Sequence, residues 1–256
     1  MRIENSFIPV HGVGRQTERR LWQAGITHWD AFHRDAVGSK VGRRIESFID
    51  TATDRLEAGD ARYFGETFPS RSHWRLYENF KEQTCYLDIE TTGLNREYHD
   101  VTVVSLHQGG DTTTLVRDID LSADRLQAAL EQASLLVTFN GKQFDVPFLE
   151  TSYDVEIDLP HVDLRYPCQR IGLTGGLKHI ESTLGIDRDE PEVDGYEAVR
   201  LWHDYERGNE AALDTLIRYN RDDTVNMHAL MEHVSGQLHH EVFERSYETY
   251  QRRLDH

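Results

Sequence analysis

Apolar positions recur at three- and four-residue intervals from Lys40 to Leu56 (Val41, Ile45, Phe48, Ile49, Leu56). That spacing predicts an amphipathic helix, ended by Gly59-Asp60. A shorter helical run covers Thr17 to Ala24, with Leu21 and Trp22 apolar, and Gly25-Ile26-Thr27 breaks it; Trp29 and Phe32 then resume the helical interval. Residues 61–84 carry Phe64, Phe68, Pro69, Trp74, Tyr77 and Phe80 without a period and read as a connector. Aromatic residues this dense either cement a domain junction or stack bases. From Thr84 the pattern changes to short strands: Cys85–Leu87, Val101–His107, Thr112–Val116, the wholly apolar Leu135–Phe139, and His161–Arg165. Gly109-Gly110-Asp111 joins two of them as a hairpin turn. Ser122 caps a helix running to about Gln132, and further helices are predicted at Leu177–Leu184, Ala198–Arg207 and Glu210 to about Val234. An antiparallel meander followed by alternating helices and strands predicts an α/β fold, a mixed five-stranded sheet flanked by helices with a small N-terminal helical module. The expected division is a helical module at 1–60, a connector at 61–83, an α/β domain at 84–235 and a helical tail at 236–256.

Composition narrows this picture in three ways. No apolar run approaches the ~18 residues of a membrane span, and MRIENSFIPV lacks a basic start followed by an apolar core, so a cytoplasmic chain without membrane partners is expected. The two cysteines, Cys85 and Cys168, make neither a disulfide framework nor a zinc site and are expected to be buried. The net charge is −17, yet residues 1–80 are near neutral at +1 and residues 81–256 carry −18. Four lysines stand against 24 arginines. An acidic, lysine-poor surface resembles proteins from organisms that keep molar salt in the cytoplasm. At ~1 M salt the screening length is ~3 Å, so the acidity does not exclude a nucleic-acid partner.

Three carboxylate-bearing stretches carry the candidate chemistry. In CYLDIETTGL, Asp88 and Glu90 are two apart in a strand and project from one face. Two such charges at ~4 Å repel by about 4 kcal/mol at an effective dielectric of ~20. A cation between them relieves this, as does protonation of one acid; a solvated strand end is the other reading. In FNGKQFDVPFL, Asn140-Gly141 turns the chain and Asp145 opens a helix among Phe144, Val146, Phe148 and Leu149. In RYNRDDTVNMHALM, Tyr219 and Asp223 share a helix face, while Asp222 points elsewhere.

Together the motifs DIETTGL, FNGKQFDVPFL and YNRDD resemble the DEDD, DnaQ-like 3′–5′ exonucleases of the ribonuclease H-like superfamily, in their tyrosine-bearing subclass. WRLYENF and GGLKHIESTLGI bring the wording closest to the YprB-like branch. The resemblance covers roughly residues 70–235. It implies a ribonuclease H-like sheet, with Asp88, Glu90, Asp145 and Asp223 holding two Mg²⁺ or Mn²⁺ ions. Tyr219 would orient the attacking water, and the substrate would be an end of single-stranded DNA or RNA. Oxygen ligands suit those hard ions. A pair ~3.5–4 Å apart activates a water and stabilises a departing phosphodiester oxygen. Asp163 resembles a position just outside the metal shell, with a plain strand-end acid as the alternative. Asn140 either shapes its turn or touches substrate; Lys178 and His179 either meet a phosphate or lie on a solvated helix face. Residues 11–35 resemble a helix-hairpin-helix element, in which the Gly12-Val13-Gly14 turn and Arg15 would face a phosphate, although Pro9 leaves its first helix short or absent. A packing adaptor is the alternative there. A nucleic-acid-binding scaffold without turnover and a structure-selective endonuclease are the rival functions.

Overall fold

The computed structural model describes residues 1–248, in two compact units. The first comprises Met1–Lys81 and the chain from His233; the second is Glu82–Glu232. Residues 61–81 and the chain beyond 233 therefore group with the N-terminal segment rather than standing as a connector and a separate tail. Of that tail, residues 249–256 lie outside the described residues.

The first unit holds α1 (Arg15–Gln23), α2 (Ser39–Glu57), α3 (Ala61–Thr67) and the single turn α4 (Tyr77–Phe80), linked by 3₁₀ turns. Its core is aromatic: Phe7, Trp22 and Phe64 are fully buried together with Ile45. A buried ion pair organises the segment before α1. Glu18, 1% exposed, accepts from Arg75 at 2.7 and 2.9 Å, from the Ser6 hydroxyl at 3.0 Å and from the backbone N–H groups of Phe7 and Ile8 at 2.9 and 3.1 Å. One carboxylate thus satisfies the donors of a stretch that forms no helix of its own. The first helix expected of a helix-hairpin-helix is reduced to the 3₁₀ turn Ile3–Asn5, and Trp29–Ala31 forms a second such turn after α1.

In the second unit, β1 (Thr84–Thr91), β2 (Val101–Gln108) and β3 (Asp111–Val116) form an antiparallel meander. Gly109 and Gly110 both take positive φ in the hairpin, as its twist requires. Helix α5 (Ala123–Leu130) follows, with the Ser122 hydroxyl accepting from Arg125 N–H at 3.3 Å. Strand β4 (Leu135–Thr138) pairs parallel to β1, helix α6 spans Asp145–Tyr153, and β5 (His161–Asp163) pairs parallel to β4. The sheet order is β3-β2-β1-β4-β5. Helices α7 (Arg165–Arg170), α8 (Leu177–Leu184), α9 (Gly195–Glu206) and α10 (Glu210–His239) follow, before a π-helical turn at His240–Glu244. Gly236 does not end α10, because the apolar interval continues through the fully buried Leu238.

The period of β1 sorts its residues between two cores. Cys85, Leu87 and Ile89 pack with Leu126, Phe148 and Leu149 from α5 and α6. Across the sheet, Val103 and Val116 pack with Trp202 of α9 and Leu213, Leu216 and Tyr219 of α10. The alternation places Asp88 and Glu90 on the α9–α10 face. Strand β1 is longer than Cys85–Leu87 because each of the two acids alternates with an apolar residue, Ile89 being 5% exposed.

Removing one partner of a buried pair strands the other charge. Glu18→Ala is therefore expected to destabilise the protein by about 3–5 kcal/mol, measured as a lower urea midpoint at unchanged slope.

Candidate active site

The carboxylates come from three elements. Strand β1 supplies Asp88 and Glu90 immediately before a register shift between Glu90 and Thr91 in the β1–β2 ladder. Helix α6 supplies Asp145 as its first residue, buried to 4% exposure. Helix α10 supplies Asp223, 7% exposed, one turn after Tyr219, also 7% exposed. Oxygens of Asp88, Glu90 and Asp223 lie within 4.8 Å of one another. Asp145 is outside that trio but near enough for its charge to raise the pKa of both Asp88 and Glu90.

The turn before α6 is held by Asp163, 2% exposed at the end of β5. Its carboxylate accepts from the N–H groups of Asn140 (2.7 Å), Lys142 (3.2 Å) and Arg165 (3.2 Å). Asn140 has φ +69°, and a Cβ at Gly141 would fall 2.4 Å from Thr138 Oγ1, so only glycine fits between turn and strand. Asp163 thus fixes the approach of α6, and through it the place of Asp145. The Asn140 side chain accepts from Arg165 at 2.6 Å. Lys178 donates to the carbonyls of Pro191 (2.6 Å) and Val193 (2.5 Å), with its ammonium 6.0 Å from the Tyr219 ring centre. Gly12, at φ +97°, and the α1 N-cap Gly14 lie in the other unit with Arg15, the first residue of α1.

Two further residues act on the acids. Asn220 donates to Asp88 Oδ2 at 2.7 Å from within YNRDD. Arg188, with a side chain 5% exposed, bridges Glu181 and Asp223, and its guanidinium carbon lies 5.4 Å from the Tyr219 ring centre. Asn220 shares Asp223's helix at a three-residue interval, which is a signal the sequence contains. For Arg188 it offers no signal beyond a lone arginine after α8.

The electrostatics follow from burial and crowding. Burial, then Asp223, Asp145 and Glu90, push the Asp88 carboxyl well above the usual range, against the Asn220 hydrogen bond. Burial, then Asp223 and Asp145, do the same to Glu90. Burial raises Asp145 to about 7, with Asp163 and Asp223 adding to it and the backbone amides of Asp145 and Ile89 opposing. Burial raises Asp223 as well, opposed chiefly by Arg188. A donor set of carboxylate oxygens alone, crowded enough to resist ionisation, fits a hard divalent cation.

Metal-free protein should therefore lose stability as pH rises. Asp145 titrates at about 7 when folded, against ~4 for an ordinary aspartate. Between those values the folded chain binds more protons than the unfolded chain, so unfolding becomes easier as pH increases through the window. Melting temperature is expected to fall from pH 5 to pH 8, and millimolar MgCl₂ to flatten that slope. An unchanged slope with the metal would contradict the site.

No curated protein sequence matches the chain. Solved structures to which the chain is similar include NrnC of Brucella melitensis with bound Mg²⁺, at 17% identity over 68% of this chain and 83% of that one, with a TM-score of 0.46. An apo nuclease matches at 19% identity over 68% and 82%, with a TM-score of 0.47. The family B DNA polymerase of the archaeon Pyrobaculum calidifontis matches at 14% identity over 60% of this chain, with a TM-score of 0.46; the match spans 24% of the polymerase. A family model of the RNase H superfamily matches residues 85–235, which include all four carboxylates and Tyr219. The chain belongs to the RNase H superfamily.

Proposed function

We propose that the chain is a 3′–5′ exonuclease that hydrolyses phosphodiesters at the ends of single-stranded DNA or RNA. Asp88, Glu90, Asp145 and Asp223 would hold two Mg²⁺ or Mn²⁺ ions. The observation that carries this reading is the convergence of Asp88, Glu90 and Asp223 oxygens within 4.8 Å, with the Tyr219 phenol one helical turn from Asp223. The 3′ polarity rests on the resemblance of the three motifs to the DEDD exonucleases. Bound divalent ions supply Lewis-acid polarisation of water and of the scissile phosphate. The protein's own groups do the rest. Asn220 fixes the orientation of Asp88. Burial, then Asp223, Glu90 and Asp88, raise the Tyr219 pKa, so its hydroxyl keeps its proton; that proton is donated to Asp223, and the phenol oxygen would accept from a water.

A cleft of about 520 Å³, bounded by Phe139, Asn140, Arg165, Gln169 and the Gly175-Gly176 turn, opens where the chain leaves β4. It offers an aromatic ring and a guanidinium to a nucleotide. The Gly12–Gly14 turn with Arg15 is proposed as an auxiliary phosphate contact. An active enzyme in molar KCl would accord with the acidic surface and a cytoplasm of high salt.

The decisive experiment uses 5′-labelled DNA and RNA oligonucleotides with Mn²⁺, at low and molar KCl. A ladder shortening from the 3′ end is expected. Asp88→Asn and Asp223→Asn should each lower kcat by at least about 10²-fold, since each removes charge stabilisation of several kcal/mol. Tyr219→Phe should lose about tenfold or more with little change in KM. Binding without cleavage would favour a scaffold, and cleavage of 3′-blocked substrates an endonuclease.

A further inference from the structure

We infer that Arg188 is an internal counter-ion that competes with the divalent cation for Asp223, and that Glu181 receives its guanidinium when the metal enters. This deepens the proposed metal-dependent function and rests on it. Four facts support the exchange. Arg188 donates through one terminal nitrogen to Glu181 and through the other to Asp223. Its Nε–H is buried without an acceptor, and Glu181 Oε1 is buried without a donor. Nearby Asn226 donates to the Asp187 carbonyl at 3.0 Å and also eases the ionisation of Glu181, but Glu181 Oε1 lacks a partner. Glu181 is fully buried and is not one of the three acids whose oxygens converge.

The present arrangement therefore leaves one donor and one acceptor unmatched on the same pair of side chains. A rotation of the guanidinium off Asp223 lets Nε and a terminal nitrogen meet both Glu181 oxygens in a bidentate fork. Asp223 is then freed without stranding a buried charge, because Arg188 keeps an anionic partner throughout. Without a metal, the same guanidinium screens the carboxylate trio, with its central carbon 5.4 Å over the Tyr219 ring centre. The site alternates between two cations, one supplied by the chain and one from solution.

The test is Mn²⁺ affinity, read by titration calorimetry and by the electron paramagnetic resonance signal of free Mn²⁺, together with thermal melting. Arg188→Gln is expected to bind Mn²⁺ about tenfold tighter than wild type, to melt lower than wild type without metal, and to gain more from Mn²⁺. Arg188→Lys, which restores a positive charge, should return the affinity to near the wild-type value. Glu181→Gln removes the receiving anion and should weaken Mn²⁺ binding several-fold. It also serves as the deciding variant if Arg188→Gln does not fold. Folded Arg188→Gln with equal or weaker Mn²⁺ binding, or Glu181→Gln with equal or tighter binding, overturns the inference while leaving the nuclease reading intact. Absence of Mn²⁺ binding in wild type and all three variants overturns both. Binding by Arg188→Gln but not by wild type supports the inference in its strongest form.

Discussion

Mutual repulsion among buried carboxylates is the constraint that shapes the second unit. Burial and crowding together raise Asp88, Glu90 and Asp145, and no local hydrogen bond cancels the effect. A fold that brings such groups together must hold them by covalent geometry and packing, because their own interaction drives them apart. Here the holding is done from outside the cluster. The apolar residues of β1 lock into the α5–α6 core, α10 buries Leu213, Leu216 and Met227, and Asp163 ties the turn that aims α6. The acids ride on elements whose stability comes from elsewhere, which is how a functional site can be locally unfavourable in a stable protein.

The same logic explains why uncharged and positive groups gather at the edge of the cluster. Asn220 donates to Asp88, Arg188 to Asp223, and the amides of Asn140 and Lys142 to Asp163. Each donor meets an acid from a different part of the chain. Tyr219 neighbours both kinds of group: its ring centre lies 5.4 Å from the Arg188 guanidinium carbon, and Asp223, Glu90 and Asp88 oppose its ionisation.

Much of this was legible in the sequence, for reasons that can be named. The strands of the meander announced themselves by β-branched alternation and by the double-glycine hairpin. Asp88 and Glu90 share a face because strands have a period of two; Tyr219 and Asp223 share one because helices return every four residues. Helix α8 was readable to its ends, since Gly176 and Gly185 bracket its apolar positions. Less legible were features set by distant partners. Asn220 meets Asp88 across 132 residues of chain, and Arg188 meets Asp223 across 35. Neither pairing leaves a local period. The buried Glu18–Arg75 pair was hidden likewise: Glu18 sits among arginines in the sequence, yet its partner lies 57 residues away. Residues 61–81 lacked a period because short helices and 3₁₀ turns share that stretch, and each is too brief to show one.

The segment that carries Arg188 has a further property. It is anchored along its whole course. Asn226 binds the Asp187 carbonyl, Asp222 accepts the Asp189 and Glu190 amides, Lys178 binds the Pro191 and Val193 carbonyls, and Asp194 caps α9. Exposed loops ordinarily absorb extra residues at small cost. This one has no slack: an added residue lengthens the path by up to ~3.5 Å, more than the reach of any of these bonds. Its length is thus as tightly prescribed as its chemistry, and insertions between Asp187 and Asp194 should be as rare among functional descendants of this chain as replacements of the acids themselves.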